Sequence, residues 1–388
     1  MSSKMFKLAA LTLAVTSVTA CQSVPTNSNT NIVSEVVVNE SVKRINENTS
    51  TQFVKDGKSP FPIITRSQKA RVTSDFNNDG YNDWFYAINT FTKDSKGKFA
   101  FHYQTESGRF VERVLTMDGC EYPSKAVVND FNNDGKPDVF VACSGWDAEP
   151  FPGEQSKLVL SGESFGSYSV KTVMGTPDYR HGATSADFDG DGNADILATE
   201  GTFNRGNSSL RLQLYYGDGK GNFPRNETLK LPSTLKTGKM YATVETVDAN
   251  NDGHFDLAIG GNEWSGEGHF TGTKTKLFLN TSGNGFKPSA PINIKPVKYK
   301  GMVLDFDSAT INGENMLFVM RSGDGSNDNF YKGFHIQMIR LTDNQSITVA
   351  NDENKTFMNY VKVWTENGNQ YVGSDVYKDS RLAPIRID

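Results

Sequence analysis

Four short acidic segments carry the residues in this sequence that are best suited to chemistry. Each follows the pattern Asp-x-[Asp/Asn]-x-Asp-Gly-x-x-Asp, which places oxygen-bearing side chains at positions 1, 3, 5 and 9 and a glycine at position 6. The segments are residues 75–83, 130–138, 187–195 and 248–256. Calcium prefers six to eight hard oxygen ligands, and a loop with this spacing, together with a main-chain carbonyl at position 7, can wrap around one ion. The pattern therefore predicts about four calcium sites.

The predicted calcium ligands form four equivalent sets. They are Asp75, Asn77, Asp79, Tyr81 and Asp83; Asp130, Asn132, Asp134, Lys136 and Asp138; Asp187, Asp189, Asp191, Asn193 and Asp195; and Asp248, Asn250, Asp252, His254 and Asp256. The third set holds four carboxylates and the others three, and like charges about 4 Å apart repel by roughly 1–4 kcal/mol per pair. We therefore expect the third loop to bind calcium most tightly and to be the least stable when empty.

Two alternatives to this calcium interpretation remain open. The segments can be ordinary Asn/Asp/Gly turns without metal, whereas magnesium fits less well because it retains its waters and demands octahedral geometry. A fifth copy begins at Asp305 and Asp307 but has Ala309 in place of an acid, so we expect no metal there. Because the pattern needs no open coordination position, we expect the calcium to be structural rather than catalytic.

The elements around these segments repeat with the same period. The starts of the four segments are 55, 57 and 61 residues apart. Each segment lies between two strand-like runs, and the second run, such as Val139–Ala142, is almost wholly apolar, which is typical of a strand buried on both faces. Two further strands fit into each repeat, and four strands in about 57 residues match one blade of a β-propeller. The sequence therefore predicts an all-β propeller of four-stranded blades.

The repeat resembles the FG-GAP or VCBS repeat of integrin α chains. The resemblance rests on the acidic segment, the apolar strand after it, and a Gly-rich turn that ends in Phe, as in residues 217–223 and 283–286. It implies a calcium-binding β-propeller, usually of seven blades. Spacing alone predicts six blades, the last near residues 360–372, with residues 53–65 as a possible outer strand that closes the ring.

Polar and aromatic residues gather at the ends of the strands away from the acidic segments. Aromatic rings can stack on sugars, while carboxylates, amides and guanidinium groups bind hydroxyls, so we expect this opposite face to bind a glycan or a protein partner. The resemblance to integrin-like propellers implies the same face. The candidate ligand-binding residues are Tyr122, Trp146, Asp147, Tyr179, Arg180, His181, Glu200, Tyr241, Asn262, Glu263, Trp264 and Arg321.

A catalytic function is the alternative interpretation of this face. Tyr179, Arg180 and His181 could act as acid, charge clamp and base in a polysaccharide lyase, and Glu263 with Asp147 could support a weaker glycosidase hypothesis. We expect a binding module rather than an enzyme, and a purely structural lipoprotein is a third possibility. A His181→Ala substitution separates the first two, because only a lyase loses turnover.

The N-terminus is predicted to direct the protein out of the cytoplasm. Lys4 and Lys7 precede a short apolar run, and Ala20-Cys21 resembles the end of a lipobox, so residues 1–20 are predicted to be a lipoprotein signal peptide. Residues 21–50 are then a lipidated Cys21 with a flexible tether, and residues 51–388 the propeller. Gln22, after the cysteine, indicates the outer membrane, on either its periplasmic or its surface side.

Net charge and cysteine content bear on two further predictions, the absence of nucleic-acid binding and the presence of a disulfide. The formal net charge of −5 is not that of a nucleic-acid-binding protein. Apart from Cys21, the chain has two cysteines, Cys120 and Cys143, which outside the cytoplasm are more often a disulfide than two free thiols. The predicted contact with the membrane is through the lipid anchor only.

Overall fold

Six antiparallel sheets follow one another along the chain. The computed structural model describes residues 68–164, 166–202, 209–232, 241–263, 272–323, 332–352, 358, 360–366, 368–374 and 382–387. Within these ranges, all of the regular secondary structure is β-strand. In each sheet the strands lie side by side in chain order, as expected when short turns connect successive antiparallel strands.

The strands have the following bounds. Blade 1 contains β1 (Gln68–Ser74), β2 (Asp83–Ile88), β3 (Lys98–Gln104) and β4 (Phe110–Val114). Blade 2 contains β5 (Pro123–Asn129), β6 (Asp138–Cys143), β7 (Lys157–Ser161) and β8 (Tyr168–Thr172). Blade 3 contains β9 (Tyr179–Ala186), β10 (Asp195–Thr202), β11 (Ser209–Tyr216) and β12 (Arg225–Thr228). Blade 4 contains β13 (Tyr241–Val247), β14 (Asp256–Gly261), β15 (Lys276–Phe278) and β16 (Ile292–Asn293). Blade 5 contains β17 (Met302–Ile311), β18 (Glu314–Ser322), β19 (Phe334–Arg340) and β20 (Gln345–Asp352). Blade 6 contains β21 (Lys362–Glu366), β22 (Asn369–Ser374) and β23 (Leu382–Arg386).

This arrangement confirms the predicted all-β propeller and the count of six blades. Five blades have four strands, and three strands of the sixth lie within the described ranges. The second strands of the early blades are buried along almost their whole length, as their apolar sequences predicted. The proposed outer strand at residues 53–65 and the signal and tether segments before it lie outside the described residues.

Apolar side chains fill the spaces between neighbouring blades. One cluster, for example, joins Phe85 and Phe101 of blade 1 to Val141 of blade 2, and further clusters of the same kind follow around the molecule. The last blade packs on the first, where the Trp84 and Tyr360 rings lie 6.1 Å apart. The blades therefore form a ring, in which each blade covers the faces of its neighbours.

The first strand of each blade faces the centre of the ring. These strands and the residues just before β21 line a central cavity of about 410 Å³. The Lys125 amino group forms ion pairs in this cavity with Glu245 and with Asp305, the latter at 2.9 Å. One cation of blade 2 thereby holds carboxylates of blades 4 and 5.

The inner strands share an irregularity that the sequence did not reveal. The pairing of the first and second strands shifts register at equivalent places in blades 1 to 5, for example between Pro123 and Lys125. In each case the shift lies near the end of the strand that is away from the acidic segment. Such bulges increase the local twist of a strand, and here they lie where the inner strands enter the ring.

A disulfide joins the segment before the first strand of blade 2 to the end of the second strand of that blade. Cys120 precedes β5 and Cys143 ends β6, and the two residues are joined with their Cα atoms 5.7 Å apart. Both side chains are buried. Among the described residues there is no helix long and apolar enough to cross a membrane.

Candidate functional site

The four acidic segments form the loops between the first and second strands of blades 1 to 4. They are named here loop one (75–83), loop two (130–138), loop three (187–195) and loop four (248–256). In blade 3, Ala186 pairs with Asp195 next to the loop, and Tyr179 pairs with Gly201 at the other end of the same two strands. The loops therefore share one face of the ring, the loop face, and the strand ends away from them form the opposite face.

The first aspartate of each loop organises the main chain around it. In loop one, the Asp75 carboxylate accepts hydrogen bonds from the main-chain N–H groups of Asp79 at 3.1 Å and Gly80 at 2.9 Å. The equivalent bonds are present in the other three loops. These bonds curl the chain so that positions 1 to 6 surround one point.

Two positions in each loop adopt left-handed backbone conformations. The glycines at position 6 have φ between 79° and 89°, which explains their identity because glycine carries no Cβ to clash. Position 4 is also left-handed, with φ of 57° to 58° for the three asparagines and 79° for Gly190. Asparagine is among the few other residues that tolerate this region. Position 4 is therefore a second signature of the loop, which the sequence pattern had left unspecified.

The aspartate at position 9 of each loop is buried and accepts two main-chain hydrogen bonds. In loop three, Asp195 accepts hydrogen bonds from the N–H groups of Phe188 and Gly217, both at 2.8 Å. The corresponding residues of the other loops make the same pair of bonds, one within the loop and one to the end of the third strand or just beyond it. Burial raises the pKa of these carboxyl groups, to about 8 for Asp83, about 7 for Asp138 and about 6 for Asp195.

The donor chemistry of loop three fits a hard cation. Carboxylate oxygens of Asp187, Asp189 and Asp195 all lie within 4.8 Å of one another. A divalent ion at this point would receive oxygen ligands only, which is what calcium prefers, and would offset the burial that raises the pKa of Asp195. The residues present therefore fit the ion that the sequence pattern predicted.

The Gly-rich turns between the third and fourth strands bind the loops of the preceding blade. The N–H of Gly221 in blade 3 donates to the carbonyl of Phe131 in loop two at 2.8 Å. The N–H of Phe286 in blade 4 donates to the carbonyl of Phe188 in loop three at 2.8 Å. This explains why the Gly-rich turn recurs with the acidic segment: each turn supports a loop on its neighbour.

The fifth repeat differs from the other four in where its acids lie. Asp305 and Asp307 are inside strand β17, and the turn to β18 is at Asn312 and Gly313. Asp305 accepts from the Lys125 amino group and from the Val361 N–H, and Asp307 accepts from the Val363 N–H. These two acids therefore face the central cavity and the sixth blade instead of forming a loop.

Several candidate ligand residues on the opposite face are buried inside it. Arg180 is fully buried, and its guanidinium pairs with Glu200 and donates to the Tyr215 hydroxyl at 3.3 Å and the Glu154 carbonyl at 3.0 Å. Glu200 in turn accepts from Arg211 at 2.9 Å. The charges of Arg180 and Glu200 are therefore paired with each other inside the blade, and a direct contact of either residue with a ligand stays an untested prediction.

The candidates on blades 4 and 5 are buried in a similar way. Arg321 is fully buried, and its guanidinium donates to Glu263 at 2.8 Å and to Gln337 at 2.8 Å. Asn262 and Tyr241 are buried as well. Of these candidates, Arg321 and Glu263 join blade 5 to blade 4, whereas Asn262 and Tyr241 are buried in blade 4. Trp264 lies outside the described residues.

The remaining candidates lie nearer the surface around blades 1 to 3. Tyr122, Trp146 and His181 are half-buried and Asp147 is exposed, and Asp147 accepts a hydrogen bond from the Tyr179 hydroxyl at 2.8 Å. Tyr179 itself is largely buried, with its ring 6.4 Å from that of His181. A role for these residues in ligand binding stays a prediction.

A scan of protein families matches three overlapping stretches of the chain. The family described as FG-GAP-like repeat matches residues 75–141, 130–198 and 187–259. The chain is an FG-GAP repeat β-propeller protein. Each matched stretch starts at one loop and ends in the second strand of the following blade, so the FG-GAP repeat is offset from the blade by one strand.

Solved structures similar to this FG-GAP propeller include two carbohydrate-active proteins. The Trypanosoma rangeli sialidase in complex with sialic acid is 11% identical, with 85% of this chain and 55% of that chain covered and a TM-score of 0.48. The exo-β-1,3-galactanase from Phanerochaete chrysosporium is 9% identical, with 83% and 76% covered and a TM-score of 0.40. The chain spans about half the length of the sialidase. No curated protein matches the sequence.

Two aromatic residues of the FG-GAP propeller's opposite face were missed from the sequence. Phe91 is 53% exposed, and its ring lies 6.3 Å from that of Tyr122 with edge-to-face geometry. Phe151 makes a similar contact with Tyr179 at 5.7 Å. Both phenylalanines have positive φ, near 52° and 53°, which is rare for bulky residues. No sequence signal marks this conformation, although both lie in Pro- or Asn/Thr-containing connections that follow a buried second strand.

Proposed function

We propose that this FG-GAP propeller is a calcium-stabilised binding protein, anchored to the outer membrane through a lipidated Cys21. Calcium sits in the four loops, and a polysaccharide or a protein partner binds on the opposite face. The observation that supports the calcium part best is the convergence of the Asp187, Asp189 and Asp195 oxygens within 4.8 Å.

Calcium would act by neutralising and fixing the loops. The residues that would hold it in each loop are those at positions 1, 3 and 5, the carbonyl at position 7 and the ninth aspartate. The ninth aspartate also binds the third strand of its blade, and the loops of blades 2 and 3 bind the turn of the next blade. An ion in one loop would therefore stabilise two blades.

The ligand part of the proposal is supported by two aromatic pairs on the opposite face of blades 1 to 3. Phe91, which is 53% exposed, pairs with Tyr122, and Phe151 pairs with Tyr179, whose hydroxyl donates to the carboxylate of Asp147. Rings next to hydrogen-bonding groups are the usual features of a site that takes sugars or aromatic side chains. Glu149 is also exposed nearby in sequence, so the local charge does not favour a polyanionic ligand.

The polysaccharide-lyase alternative is less well supported than ligand binding. A lyase of the kind considered needs a cation to hold the uronate carboxylate, and Arg180 is buried against Glu200. Tyr179 donates its hydroxyl proton to Asp147 instead of pointing it at an open site. We therefore favour binding over catalysis, and the His181→Ala variant keeps the test open: a binding protein retains most of its affinity, whereas a lyase loses turnover.

Thermal unfolding tests the calcium part. The mature chain without Cys21 is unfolded in calcium, in magnesium and in chelator. We expect calcium at micromolar to millimolar concentration to raise the unfolding midpoint strongly and magnesium to raise it little, because binding to the folded state alone stabilises it. Equal midpoints in calcium and chelator, with no metal found in the purified protein, would contradict the calcium sites.

Glycan binding tests the ligand part. We expect Phe91→Ala and Tyr122→Ala to weaken binding to a glycan array hit or captured partner by about tenfold or more each, as is typical of exposed aromatic anchors. Tyr299→Ala is a matched control, since Tyr299 is also exposed, at 66%, with positive φ, but belongs to the connection before blade 5. Equal losses in all three variants would indicate a general effect on folding rather than a site.

A further inference from the structure

Loop three differs from the other loops in how its third position is neutralised. In loops one, two and four this residue is an asparagine, and its side-chain N–H donates to the aspartate at position 5. These bonds join Asn77 to Asp79, Asn132 to Asp134 and Asn250 to Asp252 at 2.9 to 3.2 Å. In loop three the residue is Asp189, and its carboxylate instead accepts from the Arg225 guanidinium at 2.5 Å. In loop three the anionic Asp189 therefore takes the place of a neutral asparagine donor, and the cation that pairs with it is Arg225.

Arg225 is held in position by its own strand. It begins β12, the outer strand of blade 3, and its guanidinium lies 3.4 Å from the centre of the Tyr216 ring. The Tyr216 hydroxyl donates to Glu227 at 2.5 Å, which fixes the ring. Although the Arg225 side chain is 58% exposed, stacking on an aromatic face limits its freedom and strengthens its interaction with a nearby anion.

The contact changes the charge of the loop in a simple way. Loop three carries four carboxylates, for a formal charge of −4, and Arg225 brings the local charge to −3. Loops one and four carry three carboxylates each, which is also −3. The extra aspartate of loop three and Arg225 are therefore a matched pair.

We propose that Arg225 is a built-in counter-cation that competes with calcium for loop three. This inference rests on the proposed calcium function and makes it more specific. Without metal, the guanidinium relieves the repulsion around Asp189 and keeps the loop folded. With metal, the same positive charge lowers the calcium affinity, so loop three binds about as tightly as its neighbours instead of most tightly, as its four carboxylates alone would predict.

The test compares Arg225→Ala and Arg225→Gln with the wild-type protein. Terbium, which occupies calcium sites, is excited through nearby tyrosines, and the part of its emission that a Tyr216→Phe variant lacks reports loop three. Competition with calcium then gives the calcium affinity of that loop. Lys98→Ala is the matched control, because it breaks an exposed ion pair with Asp118, at 2.7 Å, on the opposite face.

We expect both Arg225 variants to bind calcium about two- to fivefold more tightly at loop three, which corresponds to the loss of one exposed ion pair. In chelator they should unfold at a lower temperature than the wild type, and the difference should shrink as calcium saturates the site. The Gln variant guards against a packing effect, because it retains the length of the side chain but not the charge. Lys98→Ala should leave the affinity unchanged.

The outcomes distinguish this inference from the calcium proposal. If wild-type protein shows Tyr216-dependent emission but the Arg225 variants bind calcium equally or more weakly, Arg225 does not compete and the inference fails alone. If wild-type protein shows neither this emission nor a thermal shift with calcium, loop three holds no calcium, and both the proposed function and the inference fail there.

Discussion

The ninth aspartate of each loop has a role that its place at the end of the acidic pattern does not reveal. A side chain with two main-chain donors and no exposure is a structural acceptor whether or not a metal is present. Asp83, Asp138, Asp195 and Asp256 are all fully buried. We therefore expect these four residues to matter for folding itself, whether or not calcium is bound, and Asp189, at position 3 of loop three, to matter mainly for metal.

Substitution of two aspartates in loop three separates these roles. Asp195→Asn places an amide N–H against a main-chain donor, and we expect a loss of about 1–3 kcal/mol in the free energy of unfolding, since a buried group is left without a partner. Asp189→Asn restores the residue found in the other loops and should cost well under about 1 kcal/mol, the range for an exposed ion pair. Urea unfolding in chelator measures both, and equal losses would contradict the assigned roles.

At the residue scale, the sequence identified the loops between the strands but not which polar side chains of the opposite face are buried. The residues of each acidic segment are at most eight apart in the sequence, so a local pattern contains most of the geometry of the loops. The burial of Arg180 depends on Glu200, and that of Arg321 on Glu263, 58 residues away. Strand ends were predictable, but which polar side chains turn inward was not.

At the scale of the elements, the Gly-rich turns are the parts that join one blade to the next. Gly285 has φ of 70°, and a Cβ there would lie 2.9 Å from the Phe188 carbonyl oxygen of loop three. The close approach allows the neighbouring Phe286 N–H to reach that carbonyl. The turn therefore requires glycine for two reasons, its own conformation and the loop that it supports.

We expect Gly285→Ala to destabilise the protein by about 1–2 kcal/mol, the cost of a left-handed conformation for a residue with a Cβ. It should also weaken calcium binding at loop three, which belongs to a different blade. Gly283→Ala is the control, because its Cβ would meet only the His254 ring, at 3.5 Å. Chemical unfolding and terbium titration measure the two effects, and similar behaviour of both variants would contradict the specific contact.

The blade count shows where pattern reasoning about elements succeeded. Spacing predicted six blades against the seven implied by the family resemblance, and the described residues form six. The acidic pattern was a less reliable guide in blade 5, because Asp305 and Asp307 continue the strand there. Their partners, Lys125 and the start of blade 6, are distant in sequence, so no local pattern could identify this change of role.

At the scale of the whole molecule, the centre of the ring contains a shared charge. Lys125 lies between Glu245 and Asp305, and burial raises the pKa of Glu245. The pKa of Lys125 is raised as well, since the two carboxylates outweigh the effect of its burial. One amino group thus links blades 2, 4 and 5, which are not all neighbours in the ring.

Removal of this amino group should destabilise the whole ring. We expect Lys125→Met to cost about 3 kcal/mol or more, because it leaves two partly buried carboxylates without their cation. The double variant Lys125→Met/Glu245→Gln should recover part of the loss, since one unpaired charge is also removed. Urea unfolding at pH 7 compares the three proteins, and a double variant as unstable as the single one would argue against the charge as the cause.

The contact between each Gly-rich turn and the preceding loop bears on how such a ring can gain or lose a blade. The Phe131 and Phe188 carbonyls receive their hydrogen bonds from the following blade. A duplication or deletion cut at blade boundaries would leave one of these carbonyls facing a turn of unsuitable sequence. A cut at equivalent points in two successive loops would also separate each carbonyl from its donor, because the donor lies beyond the next loop along the chain. Each contact therefore spans more than one repeat, and the gain or loss of a blade at any cut point would change the turn that lies beside one of the loops.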